Sequence, residues 1–161
     1  MAVIPSSIVD FLDRASVAVI STRDARLAPH LHFLSGWFVH DDRSSVVCLV
    51  PASFRDHLSD GLAQGGRVAM VAEVIGPHET YQLKGRYLDQ RPAEPSDRPV
   101  HEACRRRFVT AVQNHLRGRF RDDDLAARIH DPSVAVRFAV EEIFLQTPGP
   151  AAGRRVFPAE G

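Results

Sequence analysis

The chain has 161 residues, 44% hydrophobic and 25% charged, a profile of one ordinary domain able to bury a core without a disulfide or metal staple. Twenty basic residues balance twenty acidic ones, so the positive surplus that a nucleic-acid or anionic-membrane binder needs is missing. No apolar stretch reaches the roughly 20 residues that span a bilayer, and Met1 to Ser7 lacks the basic run that opens a signal peptide, so a cytoplasmic location is expected.

Taken in chain order, Ile8, Phe11, Leu12 and Ala15 fall at i, i+3, i+4 and i+7, which predicts a first helix capped by Ser6 or Ser7. Val17 to Ser21 is β-branched and reads as a strand, with Thr22 to Pro29 as its hairpin connection. Leu31 to Val39 is expected as one strand, apolar on both faces, with Leu31, Phe33, Ser35, Trp37 and Val39 sharing a side. His40 to Arg43 turns the chain into a strand over 45–50. Phe54, Leu58 and Leu62 then mark a short helix ending at Gly65-Gly66. Val68 to Val74 is a further strand, and Thr80 to Asp89 a long one with Tyr81, Leu83, Gly85 and Tyr87 opposite Gln82, Lys84, Arg86 and Leu88.

Pro92, Pro95 and Pro99 lead into a long helix carrying Val100, Cys104, Phe108, Ala111, Val112 and His115 at helical spacing, with Arg105 to Arg107 on its solvated face. A short helix over 122–129 and a strand from Val134 to Phe144 complete the order. This succession is neither a regular βαβ alternation nor an all-β sandwich; it suits a small antiparallel barrel with helices packed outside. Cys48 and Cys104 lie in apolar segments without C-x-x-C spacing, which predicts buried thiols in a reducing compartment.

Four places can hold chemistry. Ser53-Phe54-Arg55 starts a helix after a strand, where backbone N–H groups, a hydroxyl and a guanidinium suit a phosphate, although Ser53 also reads as a simple cap. Gln82 and Lys84 share a strand face, and Lys84 is the only lysine among the twenty basic residues; a solvent-facing strand would look the same. Gln146 to Arg155 contains two prolines and two glycines followed by arginines, which fits either an anion-binding lid or a frayed end. His30 and His32 lie two apart on one strand, but no third ligand accompanies them, so no metal site is expected. Walker, G-x-S-x-G and G-x-G-x-x-G motifs are all missing from the sequence.

The run Val17 to Arg23, Pro29 with the strand 31–39, Y-Q-L-K-G at 81–85 and Q-T-P-G-P-A-A-G-R at 146–154 resemble the pyridoxamine 5′-phosphate oxidase-like family of FMN-binding split barrels. The likeness covers nearly the whole chain, and the two short motifs are those of a bacterial branch. It implies a mainly β fold with packed helices, a six-stranded antiparallel, Greek-key-like split barrel that forms a homodimer with two FMN molecules at its interface. Residues 1–147 would form the single barrel domain, and 148–161 a tail that closes over the cofactor site.

Position by position, the resemblance implies FMN contacts from His32, Phe33, Leu34 and Ser35. It further implies phosphate contacts from Ser53 and Arg55 and a flavin-ring contact from Gln82, with Lys84 facing the same way. His32 stands where the oxidase has an arginine, Trp37 where it has the lysine for the vitamin phosphate, and the 146–154 segment replaces a closing Trp-Arg segment. Pyridoxamine phosphate oxidation is therefore not expected. The implied function is an FMN-dependent oxidoreductase that moves hydride between flavin and an unknown small molecule, with no catalytic side chain assigned. The alternative is a non-catalytic flavin- or haem-binding protein with His30 or His32 as axial ligand.

Overall fold

The computed structural model describes residues 3–63 and 66–158. Gly65, expected at a helix end, and residues 159–161 of the expected tail lie outside the described residues. In chain order the elements are α1 (Ser6–Arg14), β1 (Val17–Arg23), β2 (Pro29–Phe33), β3 (Gly36–Val39), β4 (Ser45–Pro51), α2 (Ala52–Ala63), β5 (Arg67–Val74) and β6 (Glu79–Pro92). They continue with a 3₁₀ turn (Pro95–Asp97), α3 (Arg98–Leu116), α4 (Asp122–Ala126), β7 (Pro132–Leu145) and β8 (Arg155–Phe157).

All strand pairs are antiparallel, in the order β2-β1-β5-β6-β7-β4-β3, with β8 added on β7. The first and last strands of this path, β2 and β3, are consecutive in the chain. The expected single strand 31–39 is in fact broken at Leu34–Ser35, where the Leu34 N–H donates to Ala18 O on one side (2.9 Å) and the Ser35 N–H to Leu49 O on the other (2.8 Å). One segment thus borders both edges and closes the barrel; counting it once, six segments make the wall. The break also reverses the alternation. Leu31 and Phe33 point outward, 65% and 53% exposed, whereas Trp37 turns into the core and donates its indole N–H to Leu12 O (3.0 Å).

Phe11, Leu12, Ile20, Met70, Leu83 and Phe138 fill the interior. All seven residues of β4 are buried, because Val47 and Leu49 on its outer face are covered by Ala135, Phe38 and Val100 of α3. The cap of α1 differs from expectation: the helix begins at Ser6 behind Pro5, and Ser6 Oγ instead accepts a bond from Arg43 Nη2 (3.0 Å). The α3 stripe is only partly covered, since His101 and Cys104 are buried but Phe108, Ala111 and Val112 are half-buried and His115 is exposed. Asp97 before α3 accepts both ends of the Arg91 guanidinium (2.7 and 2.8 Å) and the Glu94 N–H (2.9 Å), and the Arg91 bonds hold its carboxyl below the usual carboxylate range.

β6 and β7 approach closely at Gly85. Their register shifts between Lys84↔Glu142 and Gly85↔Val140, leaving Glu141 as a bulge residue without a partner across the ladder. Its carboxylate is held by Arg67 and Arg86 instead, each at 2.6 Å. Gly85 is required there, since a Cβ at that position would lie 1.7 Å from Ala139 O. No helix among the described residues is long and apolar enough to cross a membrane.

Candidate functional site

The residues expected to touch a cofactor fall into three groups. At the edge strand β2, His32 points toward the first turn of α2. Its Nδ1–H donates to Phe33 O (2.9 Å), which leaves Nε2 of the neutral ring as an acceptor for the Ser53 hydroxyl (3.2 Å). Ser53 is the second residue of α2, inside the helix and not its cap; Arg55 follows on an exposed turn. The His32 ring also meets Phe54 (centroids 5.5 Å apart) and His130 (6.4 Å). His130 comes from the α4–β7 connection, and nothing in its sequence neighbourhood separates it from any loop histidine.

Leu34 and Ser35 form the second group. They occupy the strand break, 2% and 1% exposed, and Leu34 belongs to the core. The Ser35 carbonyl accepts from His101 Nδ1–H of α3 (2.8 Å), while its hydroxyl is buried without a partner among the described residues. His101 Nε2 lies 3.2 Å from the Asp131 carboxylate but out of line for a hydrogen bond. His101 therefore ties α3 to the break. It lies on the buried stripe of α3 one turn before Cys104, the only sequence signal that could have found it.

The third group is on the outer face of the sheet. Register alone places Phe33, Val19, Val71, Gln82 and Phe144 in one row across five strands, and Leu31, Ser21, Ala69, Lys84 and Glu142 in the next. Phe33 and Gln82 are three strand intervals apart, about 14 Å at ~4.8 Å each. Between them Val19, Val71, Ser21 and Ala69 are small or β-branched, so the floor carries no bulky side chain and is largely apolar. Lys84 Nζ sits 4.4 Å from the Phe144 ring centre, with no carboxylate within 4 Å among the described residues. Its register partner Glu142 is engaged by Arg155 at 3.4 Å. Beside Lys84 a cavity of about 340 Å³ opens, lined also by Arg23, Arg67, Ser21 and Leu27.

The C-terminal segment approaches this face. Gln146 Nε2 donates to Gln82 Oε1 (3.4 Å), and the Thr80 N–H donates to Thr147 Oγ1 (3.0 Å). The Gly153 N–H returns to Leu145 O (2.7 Å), after which β8 pairs with β7 and buries Phe157. Residues 146–154 are thus a turn-rich connection tied to β6 and β7 by hydrogen bonds, and 155–157 join the sheet as β8. His30 lies 3.3 Å from the Asp24 carboxylate, and no three His, Cys, Asp or Glu side chains gather as a possible metal set among the described residues.

The closed barrel with a broken edge strand, helices outside and β8 on the last long strand is the split-barrel fold of the pyridoxamine 5′-phosphate oxidase-like, FMN-binding proteins. The chain is similar to HupZ of Group A Streptococcus, with a TM-score of 0.55 at 15% identity, over 93% of this chain and 99% of that one. It is also similar to a pyridoxamine 5′-phosphate oxidase-related, FMN-binding protein of Nostoc punctiforme, with a TM-score of 0.53 at 13% identity, over 94% and 87% of the two chains. No protein-family model and no curated protein matches the sequence.

Proposed function

We propose that this chain is an FMN-binding protein of the pyridoxamine 5′-phosphate oxidase-like family, a cytoplasmic oxidoreductase that works on a small molecule as a homodimer. One observation carries the reading: the outer-face floor between Phe33 and Gln82, edged by the one lysine of the chain. A tricyclic ring needs an apolar support free of bulky side chains with a few polar groups at its margin, and that floor has both. Gln82, with Gln146 behind it, offers amide donors and acceptors to a ring edge. The Lys84 ammonium, faced by an aromatic ring and no carboxylate, supports negative charge on a bound ring. When bound, FMN would supply the hydride chemistry.

Ser53 and Arg55, on the first turn of a 12-residue helix, are proposed to hold the phosphate, where the helix N-terminus favours an anion. Both nitrogens of the His32 ring are already engaged, by Phe33 O and by the Ser53 hydroxyl, so His32 would serve this end by positioning Ser53. Leu34 and Ser35 contribute by fixing the break that sends Phe33 outward. Leu27, Leu31 and Phe33 form an exposed apolar strip beside the floor, which supports a second copy of the chain covering it.

The purified protein, titrated with FMN and with riboflavin, tests this. FMN is expected to bind tightly with a shifted flavin spectrum. Lys84→Met should weaken both ligands, whereas Arg55→Ala should weaken FMN by about tenfold or more and riboflavin little. Sedimentation is expected to give a dimer. No uptake of FMN from excess would overturn the reading. A Soret band on adding haem, with its loss in His32→Ala, would favour the haem alternative, for which the neighbouring His32 and His130 rings are the supporting observation.

A further inference from the structure

A groove of about 930 Å³ lies between α3 and the β5–β6 turn and shares no residue with the cavity beside Lys84. Positions 103, 106, 107, 110, 111 and 114 of α3 line it, spaced by three and four so that they form one helix face. Val74, Ile75 and Ala111 give it apolar surface. Arg14, Arg106, Arg107, Arg117 and His115 give it basic groups, and no Asp or Glu among the described residues lines it. In a chain of zero net charge such segregation leaves a locally uncompensated positive field.

Arg107 makes the case specific. It is half-buried, and its partners are all neutral: Nε–H donates to Ala15 O (3.0 Å), Nη2–H to Cys104 Sγ (3.0 Å), and the guanidinium stacks 5.6 Å from the Trp37 ring centre. A partly desolvated charge without a counter-ion is unfavourable and is relieved by a bound anion. Arg106 and Arg117 have no carboxylate within 4 Å among the described residues, and Arg14 alone is paired, with Glu79 at 3.2 Å. Three guanidiniums without carboxylate partners call for more than one negative charge, and their forked donors match phosphate oxygens. The apolar surface and the volume fit a small organic body as well. The sequence expectation that Arg105 to Arg107 form one solvated face therefore resolves into two: Arg105 lines a cavity with Glu102, Asp122 and Asp123, Arg106 borders both that cavity and the groove, and Arg107 turns to the groove alone.

We propose that this groove binds an organic polyphosphate of nucleotide size, its phosphates on Arg106, Arg107 and Arg117 and its ring against Val74, Ile75 and Ala111. The site is separate from the flavin floor and does not depend on it.

Thermal shift and calorimetric titration of the full chain with ATP, inorganic tripolyphosphate and adenosine test the proposal. ATP should bind best, tripolyphosphate more weakly and adenosine hardly at all, with ATP affinity falling as salt rises. The exposed double variant Arg106→Gln/Arg117→Gln should fold normally and lose about tenfold or more in ATP affinity. Its FMN titration should match that of the parent, so failure of the flavin reading and failure of this one are told apart on the same samples. The proposal is overturned if neither ATP nor tripolyphosphate binds the parent at about 1 mM, or if the double variant binds ATP equally well. It is also overturned if that variant changes from dimer to monomer in sedimentation, which would make the groove a subunit interface.

Discussion

Replacing Gly85 by alanine isolates the contact that brings Lys84 and the bulge of β7 together. The new methyl would stand 1.7 Å from Ala139 O and 2.8 Å from Ala139 C, both backbone atoms of a paired strand that cannot swing aside as a side chain would. Reaching the 3.0 Å floor of real contacts requires β6 and β7 to separate locally by roughly 1.3 Å. Overpacking of this kind costs about 1 to 3 kcal/mol, and a backbone obstacle puts Gly85 at the upper end. The loss of unfolded-state entropy on going from glycine to alanine returns about 0.4 to 1 kcal/mol, leaving a net of about 2 kcal/mol or more. At roughly 2 to 4 °C per kcal/mol for a domain of this size, the melting temperature should fall by about 4 to 10 °C. Circular dichroism melts, with urea titrations for the free energy, measure it. Gly76→Ala is the control: its φ of +109° strains a side chain, but nothing lies within 4 Å of the added methyl. A Gly85→Ala melt within about 2 °C of the parent would refute the close-approach argument.

Acid should weaken the fold through Asp42 and Asp97. Burial alone would raise the Asp42 pKa, but the Ser44 N–H and the Ser45 hydroxyl together bring it to about 2, and the Arg91 bonds lower that of Asp97. Both carboxyls are therefore depressed on folding, so their contribution is complete above the ordinary carboxylate pKa near 3.8 and is lost as pH falls through their lowered values, about 2 for Asp42. The urea midpoint should drop over that window, and less steeply in Asp42→Asn. Trp37→Phe removes the indole donor from the buried Leu12 carbonyl and should destabilise by about 1 to 3 kcal/mol in urea unfolding. Burial pushes both the Cys48 and the Cys104 thiol up, so neither should react with a thiol reagent until the protein unfolds, and labelling should follow the unfolding curve.

How much of this protein was legible before folding depends on whether the signal is local. The order of helices and strands as far as β7, though not the short β8 beyond it, the core periodicity of α1, the buried thiols and the shared face of Gln82 and Lys84 follow from spacings of two, three and four residues, which a side chain's own element decides. Residues 31–39 show the limit. Their unbroken apolar pattern reads as one strand, and only the two sheet edges competing for it break the segment at Leu34–Ser35, burying those two and turning Leu31 and Phe33 outward.

The candidate site shows the same division. Ser53 was visible as a hydroxyl at a helix start, but its partner His32 lies 21 residues away and His130 much farther, and only the packing of α2 on β2 joins them. The alignment of Phe33 with Gln82 depends on three strand registers, each set by core burial on the opposite face of the sheet. Arg107 is one of three consecutive arginines in the sequence, and it becomes distinct only where α3 seats it over Trp37 and against Ala15, with no carboxylate within 4 Å among the described residues. Amino-acid order by itself determined the element types and which residues each one offers, because those depend on near neighbours. Tertiary structure decided which of them meet, which are buried and which charges stand without a counter-ion, because those depend on groups brought together from remote parts of the chain.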